Sequence, residues 1–464
     1  MSGFDTTVHL VFLACATCFV IGLHLMNAPA TARRGNRVSA GGMAAAIVTT
    51  AVVLIHDGHV TTGAVVALTI GGLAGAAAGL IAAQRVKMTA MPQLVSLFNA
   101  VGGGAAALIA LGDHAATTAA EVTGVLDVII GGVTFTGSLV AAGKLAGRIS
   151  GAPVTVRFGR EIMGLLAVIA IGLGVWYISG TQPPLIGVAA ASLGIGVLLT
   201  LPIGGADMPV VISLLNAFTG TAVAMAGFVL GSTPLIIAGG LVGAAGAILT
   251  KLMADAMNRP ISAIIAGGYG TGDAVAVAAG GASAGVREIS PDDAAIQLAY
   301  AAKVVIVPGY GLAAAQAQHE AVALAEALTE NGVEVSYAIH PVAGRMPGHM
   351  NVLLAEANAP YPQLRDLEES NPEFARTDVV LVVGANDVTN PAARRPGNPV
   401  SGMPILDVDK ARSVIVLKRS LGHGYAGIDN ELYTDPRTAM LFADAKAGLA
   451  ALLTGLHAYA GGRT

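Results

Sequence analysis

The chain has 464 residues, of which 54% are hydrophobic, 4% aromatic and 12% charged, and its formal net charge is −4. Soluble domains carry about a quarter charged residues, so this composition excludes an ordinary soluble globule. Residues 1–260 hold 19 charged side chains with a net charge of +3, whereas residues 261–464 hold 35 with a net charge of −7. Neither part offers the basic face that a nucleic acid needs. We therefore predict two domains, one suited to lipid and one suited to water. We predict no nucleic-acid partner.

The only cysteines, Cys15 and Cys18, lie in the first apolar run. A CxxC pair is compatible with redox chemistry or metal binding, but no second cysteine pair or nearby histidine pair completes a zinc site. We interpret both as small side chains about one helical turn apart, and we predict no metal site. The N-terminus lacks the basic region and cleavage site of a signal peptide, so the first helix is expected to remain.

Nine apolar runs have the length of about 20 helical residues that crosses a bilayer. They cover residues 4–26, 36–55, 60–83, 91–112, 124–146, 161–179, 184–201, 207–229 and 234–254. Basic residues near the span ends all fall on one side, namely Arg33, Arg34, Arg37, Arg85, Lys87, Arg148, Arg157, Arg160, Lys251 and Arg259. The other side carries Asp5, Asp57, Asp113 and Glu121. Because lysine and arginine concentrate in cytoplasmic loops, we expect the N-terminus outside and the C-terminal part inside.

Small residues recur in these spans. Gly71, Gly75 and Gly79 are spaced four residues apart, and residues 102–104 are three glycines in a row. Lipid gives helices no hydrophobic reason to associate, so close backbone approach through small residues supplies the packing. The sequence therefore predicts a tightly packed helical bundle.

A few polar residues lie in or beside the spans. Asp207 begins the eighth span, Asn216 lies deeper in the same span, and Asn99 lies in the fourth. Asp207 alone is compatible with an ordinary interfacial carboxylate, and buried amides commonly form hydrogen bonds between helices. Where buried amides align with a carboxylate, they are also compatible with a water-filled path through the helices. Asp127 and His24 lie near span ends and are expected to be interfacial.

The C-terminal part has a different pattern. Residues 261–288 are rich in glycine and alanine and indicate a linker, so we predict a membrane domain over 1–260 and a second domain over 289–464. Helices are predicted over 291–301, 312–331 and 438–456, and strands over 304–307, 333–339, 379–383, 404–406 and 414–417. This alternation is typical of an α/β doubly wound parallel sheet.

The first strand leads into the GxGxxA turn of Gly309, Gly311 and Ala314. In a strand–turn–helix context, such glycines let the backbone approach a pyrophosphate. Domains selective for NAD place an acid at the end of the second strand, but here that strand ends without one, at His340. Instead, Lys418, Arg419 and Ser420 follow a later strand. This trio suits a 2′-phosphate, so NADP(H) is favoured over NAD(H); the alternative is a solvated charge run.

Two glycine-rich loops, residues 340–349 and 422–430, are interpreted as covers for a ligand rather than as loose connections. Residues 384–387 end another strand on the same edge with an amide and an acid. The sequence GYG at 268–270 is similar to a potassium-channel filter, but it follows the last span and has no pore helix before it. We therefore do not predict a channel from it.

Together these residues resemble the β subunit of the proton-translocating NAD(P) transhydrogenase. The resemblance lies in residues 204–216, 308–311, 339–357, 384–387, 418–420, 424–427 and 444–446, and it extends over essentially the whole chain. It implies a polytopic membrane bundle followed by a Rossmann-like domain that binds NADP(H) in a reversed orientation. The implied cofactor-binding residues are Gly309, Tyr310, Gly311, Val342, Ala343, Gly344, Arg345, Met346, Pro347, Gly384, Ala385, Asn386, Asp387, Gly402, Met403, Lys418, Arg419, Ser420, Leu421, Gly422, His423, Gly424, Tyr425, Asp444 and Ala445.

The resemblance also implies partners. A separate α subunit binds NAD(H) and adds membrane helices, and a second copy of the αβ unit completes a dimer in the inner membrane of a bacterium. Together the subunits couple hydride transfer between NADH and NADP⁺ to inward proton movement. This chain has Asn99 where the family often has a histidine, so the path candidates are Asn99, Ser138, Asp207 and Asn216. The alternatives are a transporter or channel gated by a nucleotide-binding domain, and a membrane anchor for a reductase.

Overall fold

The computed structural model describes residues 3–26, 28–56, 58, 61–112, 117–151, 153–181, 185–204, 207–258, 260–266, 285–346, 348–398, 400–424 and 426–460. Contacts divide the chain into two units. The first comprises Met1–Pro202 and Val211–Ile248, and the second comprises Ile203–Val210 and Leu249–Thr464. The short segment that carries Asp207 therefore groups with the C-terminal unit.

Each of the nine predicted spans coincides with a described helix. These helices are α1 (Gly3–Leu25), α2 (Pro29–His56), α3 (Thr62–Arg85), α4 (Met91–Gly112), α5 (Thr118–Leu145), α6 (Gly159–Trp176), α7 (Ile186–Thr200), α8 (Met208–Val229) and α9 (Thr233–Ala256). Among the described residues, eight helices are long and apolar enough to cross a membrane. The exception is α7, which has 15 residues and so rises only about 22 Å.

Helix α5 packs against several of the other helices through small residues. Gly103 of α4 lies against Thr134 of α5, and Gly131 of α5 lies against Ala107 of α4. On another face of α5, Gly132 lies against Ser192 of α7. A side chain at any of these glycines would collide with its neighbour, so the tight packing predicted at the glycine row of α4 is confirmed.

Helix α3 differs, because none of its residues is buried among the described residues. At Gly71, Gly75 and Gly79, an added Cβ would meet no atom within 4 Å. The packing predicted for these glycines is therefore not made within the described part of the chain. By contrast, the Cys18 side chain of α1 lies against Gly42 of α2, as expected for a small side chain that packs between helices, and the backbone carbonyl of Cys15 faces the same glycine.

The second unit is built on a parallel sheet of six strands. They are β1 (Lys303–Pro308), β2 (Glu334–Ala338), β3 (Leu364–Arg365), β4 (Val379–Val383), β5 (Ser413–Lys418) and β6 (Thr438–Phe442), in the order β3-β2-β1-β4-β5-β6. The helices of this unit are α10 (Ile261–Ala266), α11 (Pro291–Ala299), α12 (Tyr310–Ala315), α13 (Gln318–Glu330), α14 (His349–Glu356), α15 (Leu367–Ser370) and α16 (Ala445–Ala460). The order reverses between β1 and β4, which is where doubly wound sheets bind ligands.

The central strands are mostly apolar, since helices cover both faces of such a sheet. All five residues of β4 are buried, and β4 lies between β1 and β5 in parallel register. Upstream of the sheet, Glu288 pairs with Met440 of β6, so the end of the predicted linker 261–288 joins the sheet edge. Residues 267–284, which include the GYG sequence, lie outside the described residues.

The predicted helix over 438–456 was wrong at its beginning. Thr438–Phe442 forms β6, pairs with β5 and leaves only α16 as the closing helix. The four apolar residues 439–442 have the length of a buried strand, and periodicity alone does not separate such a run from a helical turn.

Two other predicted elements differ from the structure. The predicted strand 404–406 does not join the sheet, because the Leu406 amide donates to the Val388 carbonyl at 2.9 Å, outside the strand ladder. The predicted helix 312–331 is two helices, α12 and α13, separated at Gln316, whose φ of 53° places it in the left-handed region. The two-residue strand β3 was not predicted.

Candidate nucleotide site

A cavity of about 580 Å³ opens at the carboxyl ends of β1, β4, β5 and β6. It lies where the strand order reverses, the position at which open α/β sheets hold ligands. The predicted residues that line it are Gly309, Tyr310, Gly311, Val342, Ala343, Gly344, Arg345, Gly384, Ala385, Asn386, Asp387, Lys418, Arg419, Ser420, Gly422, His423, Gly424, Asp444 and Ala445. Predicted residues from six separate stretches of the sequence are therefore brought together at one edge.

The two turns after β1 and β4 touch through their backbones. The Gly309 amide donates to the Val383 carbonyl, and the Gly311 amide donates to the Gly384 carbonyl, both at 2.9 Å. A Cβ on Gly311 would lie 2.6 Å from the Gly384 Cα. Gly384 itself has a φ of 64°, which favours glycine. These glycines let the two turns approach each other, and together the turns form the floor of the cavity.

Lys418 ends β5 and is half-buried, whereas Arg419 and Ser420 are exposed. The ammonium group of Lys418 donates to the Gly422 carbonyl and, at 3.2 Å, to the Tyr433 hydroxyl. Burial lowers the pKa of Lys418, against the opposing effect of the Asp387 charge. The trio predicted from the sequence thus lies in the cavity wall, with one cation held in place and one exposed.

Asn386 connects the turn after β4 to the loop after β5. With its amide oriented to satisfy both ends, the oxygen accepts from Lys418 Nζ at 3.2 Å and from the Gly424 amide at 2.6 Å, and the nitrogen donates to the Tyr433 hydroxyl at 3.0 Å. The neighbouring Asp387 accepts from the Ala426 amide at 3.0 Å. These contacts hold the predicted cover, residues 422–430, against the strand edge.

The other predicted cover begins at His340, two residues after the end of β2. The guanidinium of Arg345 in this loop lies 4.5 Å from the centre of the Tyr310 ring, a cation–π distance. The loop thereby crosses over the turn after β1. No acidic residue ends β2, and among the described residues that line the cavity the acids are Asp387 and Asp444, against the cations Arg345, Lys418 and Arg419.

Some predicted residues do not line the cavity. Met346, in the first cover, and Leu421, directly before the second, do not line the cavity. Met403 packs in an apolar cluster with Val400 and Ile405. A Cβ on Gly402 would collide with the side chain of Asn258. The predictions for Pro347 and Tyr425 fall outside the described residues.

Five lining residues were not predicted, namely Ala314, Ala315, Val388, Leu417 and Ala443. Ala314 and Ala315 lie one helical turn after Gly311, so the GxGxxA motif contained the signal for them. Leu417 is the next-to-last residue of β5, and Ala443 directly follows β6. Ala443 was missed because β6 was predicted as part of a helix.

Of the four path candidates, Asn99 lies on α4, Ser138 on α5 and Asn216 within α8, and Asp207 directly precedes α8. Asn99 donates to the Ile212 carbonyl of α8 at 3.3 Å, and its own carbonyl accepts from Thr219 at 3.3 Å. Asn216 lies half-buried between those two contacts. Ser138 is fully buried, and Asp207 is 6% exposed directly before α8.

The sequence matches the family model described as "NAD(P) transhydrogenase beta subunit" over residues 8–455. It is also similar to two relatives named "NAD(P) transhydrogenase subunit beta", one from Rhodospirillum rubrum and one from strain ATCC 11170 of the same species. Each is 46% identical over 450 residues, which cover 94% of this chain and 96% of the relative. The chain belongs to the NAD(P) transhydrogenase beta subunit family.

Proposed function

We propose that this chain is the NADP(H)-binding, proton-translocating subunit of a transhydrogenase. In this proposal an α subunit binds NAD(H), hydride passes between NADH and NADP⁺, and the transfer is coupled to inward proton movement. Hydride transfer needs two bound nicotinamide nucleotides, and this chain has a single dinucleotide fingerprint. The α and β subunits are therefore both needed for activity. The observation that carries the nucleotide assignment is the cavity at the β1/β4 crossover with a cationic trio in its wall.

The cavity residues fit a phosphorylated nicotinamide dinucleotide. Arg419 and Ser420 are exposed beside the held ammonium of Lys418, and such donors suit a phosphate monoester. At Gly309, Gly311 and Gly384 the turns after β1 and β4 pack backbone against backbone, so a side chain at any of these positions would collide with the opposite turn and disturb the floor of the cavity. When bound, the nicotinamide supplies the hydride donor or acceptor; the role of this chain's residues is to bind and orient it. For Met346, Pro347, Gly402, Met403, Leu421 and Tyr425, the proposed contact with the nucleotide is supported by the resemblance alone.

Binding of NADPH to the full-length subunit tests this assignment. Arg419→Ala should weaken NADPH binding about tenfold or more, because a hydrogen bond to a charged group contributes about 1.5–3 kcal/mol, and Lys418→Ala should act in the same direction. NADH, which lacks the 2′-phosphate, should bind both variants as it binds the unchanged protein. Calorimetric titration with each nucleotide measures this difference.

Arg412→Ala is the matched control. Arg412 directly precedes β5, whereas Arg419 directly follows it, and Arg412 pairs with Asp378 outside the cavity. It should leave the affinity for both nucleotides unchanged. Equal losses for NADPH and NADH in the Arg419 variant would contradict the phosphate role.

We further propose that Asn99, Ser138, Asp207 and Asn216 take part in proton movement. Asp207 is our candidate for the group that senses the proton, since it lies at the beginning of α8 in a segment that groups with the nucleotide-binding unit. Asn99 takes the place at which the family often has a histidine, so we expect a histidine on a partner helix to supply that function.

The charge pattern of the loops supports a multi-pass protein of a bacterial inner membrane, with the N-terminus outside and the nucleotide domain in the cytoplasm. We propose a membrane domain over residues 1–260, a linker over 261–288 and an NADP(H) domain over 289–464. The α subunit and a second αβ unit are the proposed partners. A nucleotide-gated transporter would show no reduction of an NAD analogue by NADPH in membranes that contain both subunits, and our proposal requires that reduction.

A further inference from the structure

Asp127 is a buried acid inside a membrane helix. It is the tenth of the 28 residues of α5, and nine residues of helix rise about 13 Å. The side chain is fully buried, with 0% exposure. Neither carboxylate oxygen has a hydrogen-bond partner among the described residues. The sequence-based expectation of an interfacial residue is therefore wrong for Asp127.

The surroundings of Asp127 are small and apolar. Gly124 and Gly131, on the same side of α5, lie against Ala110 and Ala107 of α4. Val125 and Val128 pack in an apolar cluster with Tyr177 and Val188. An acid kept in such a place without a partner is costly, and acids inside membrane helices usually mark a function.

No described cation neutralises Asp127. Helices α4, α7 and α8 contain no aspartate, glutamate, histidine, lysine or arginine. On α5 the other ionisable groups are Glu121 and Lys144, and Lys144 donates to the Leu201 carbonyl at 2.5 Å. On α6 they are Arg160 and Glu161 in its first turn, and the helical turn that continues α6 carries Tyr177. These surroundings tolerate a neutral, protonated carboxyl group rather than a charge.

Asp127 and Ser138 lie on one stripe of α5. Eleven residues correspond to about three turns, or roughly 16 Å, with a rotation close to a whole number of turns. The Ser138 hydroxyl also lacks a partner among the described residues. Thr134, on the same stripe, lies against Gly103 of α4. Because α4 and α5 run antiparallel, Asn99, one turn before Gly103, comes level with Ser138, one turn after Thr134.

We infer that Asp127 is a proton-binding residue of the membrane bundle, placed at the α5 N-terminal end of a polar stripe that leads to Ser138 and Asn99. One carboxylate oxygen accepts a proton from the aqueous side nearer that end and later releases the same proton toward Ser138, through water that satisfies the unpartnered oxygens. This inference rests on the proposed proton translocation and adds a residue to it.

The test uses the complete αβ enzyme in vesicles of phosphatidylethanolamine and phosphatidylglycerol. Asp127→Asn keeps the size of the side chain but cannot carry the proton. We expect it to remove an infrared C=O band of a protonated carboxylic acid and to slow NADPH-driven proton movement about a hundredfold, the order of effect of a proton-transfer group. Asp127→Glu should restore both signals in part.

Glu121→Gln is the matched control, an acid on the same helix that is not buried; it should keep the band and the rate. A band that persists in Asp127→Asn, or full proton movement without it, would overturn the inference. A purely structural role predicts a lower unfolding temperature for Asp127→Asn, whereas removal of an unpartnered acid should not lower it. If the unchanged enzyme moves no protons, the proposed function fails, and the infrared band still decides whether Asp127 holds a proton.

Discussion

Two buried histidines hold the loop that follows β2. His340 accepts from the Val342 amide at Nδ1, so its Nε2 carries the hydrogen and donates to the Pro404 carbonyl at 2.7 Å. His349 accepts from the Arg345 amide at Nδ1. Burial lowers the pKa of His340 from 6.5 to about 4. Burial, together with the nearby Arg345 charge, lowers the pKa of His349 from 6.5 to about 4. Both side chains are therefore neutral at physiological pH.

This arrangement predicts a loop that loosens in acid. Between pH 6.5 and about 4 the unfolded loop binds more protons than the folded one, so the stability from both histidines is present above pH 6.5 and is lost as the pH falls. At pH 5 the loss is about 2 kcal/mol for each histidine. Hydrogen exchange of the amides in residues 340–354, corrected for the intrinsic rate, should show this loss between pH 7.5 and pH 5.

His340→Asn keeps a donor for the Pro404 carbonyl but does not titrate, so it should flatten part of the pH dependence. His319→Asn, at an exposed position on α13, should leave it unchanged. Exchange protection that is independent of pH in the unchanged protein would contradict the assignment of neutral buried histidines.

The sequence located most of the site at the residue level, because strand ends are recognisable and their side chains must meet at one sheet edge. Lys418, Arg419 and Ser420 line the cavity at that edge, and their contact with a nucleotide stays a prediction. The role of His340 was not predictable, since its acceptor, the Pro404 carbonyl, is 64 residues away. Asp127 was misjudged because the predicted span began at residue 124, whereas α5 begins at Thr118.

At the scale of elements, the β1 and β4 turns depend on glycines for their packing. A Cβ on Gly311 would lie 2.6 Å from the Gly384 Cα, and backbone atoms cannot move aside as the end of a side chain can. We expect Gly311→Ala to destabilise the nucleotide-binding unit by about 2 kcal/mol, within the range for overpacking. For a unit of this size, that corresponds to a fall of about 5 °C in its unfolding temperature.

Gly422→Ala is the matched control, because its Cβ would meet only the Ser420 hydroxyl, at the ordinary distance of 3.4 Å. Scanning calorimetry of the full chain should show the shift for Gly311→Ala and little change for Gly422→Ala. Equal unfolding temperatures for the two variants would show that the turns separate without loss of stability.

Element boundaries were the least predictable part of the fold. Thr438–Phe442 is short and, apart from Thr438, apolar, and its pairing with β5 decides that it is a strand. The extended segment 404–406 has similar composition, but it bonds to Val388 instead of a strand. The local sequence does not show which distant segment will pair with such a run. The long apolar spans, by contrast, can be recognised from their length alone.

At the scale of the whole molecule, the composition distinguishes a part suited to lipid from a part suited to water. Within the described part of the chain, eight long apolar helices precede a six-stranded parallel sheet. Proton movement and nucleotide chemistry become coupled only if protonation changes the relative affinities for NADP⁺ and NADPH, because only differential affinity shifts an equilibrium. A charge that crosses 100 mV contributes about 2.3 kcal/mol to such coupling.

Asp207 is the proposed point of coupling, so Asp207→Asn should separate the two processes. In the αβ enzyme we expect NADPH to bind with nearly unchanged affinity at neutral pH, because Asp207 does not line the nucleotide cavity. The dependence of that affinity on pH should disappear, since asparagine does not titrate, and proton movement driven by NADPH should stop. Titrations from pH 6 to pH 9 together with a vesicle assay measure both effects. Asp255→Asn, at an exposed position on α9, is the control, and normal proton movement in Asp207→Asn would exclude this carboxylate as the sensor.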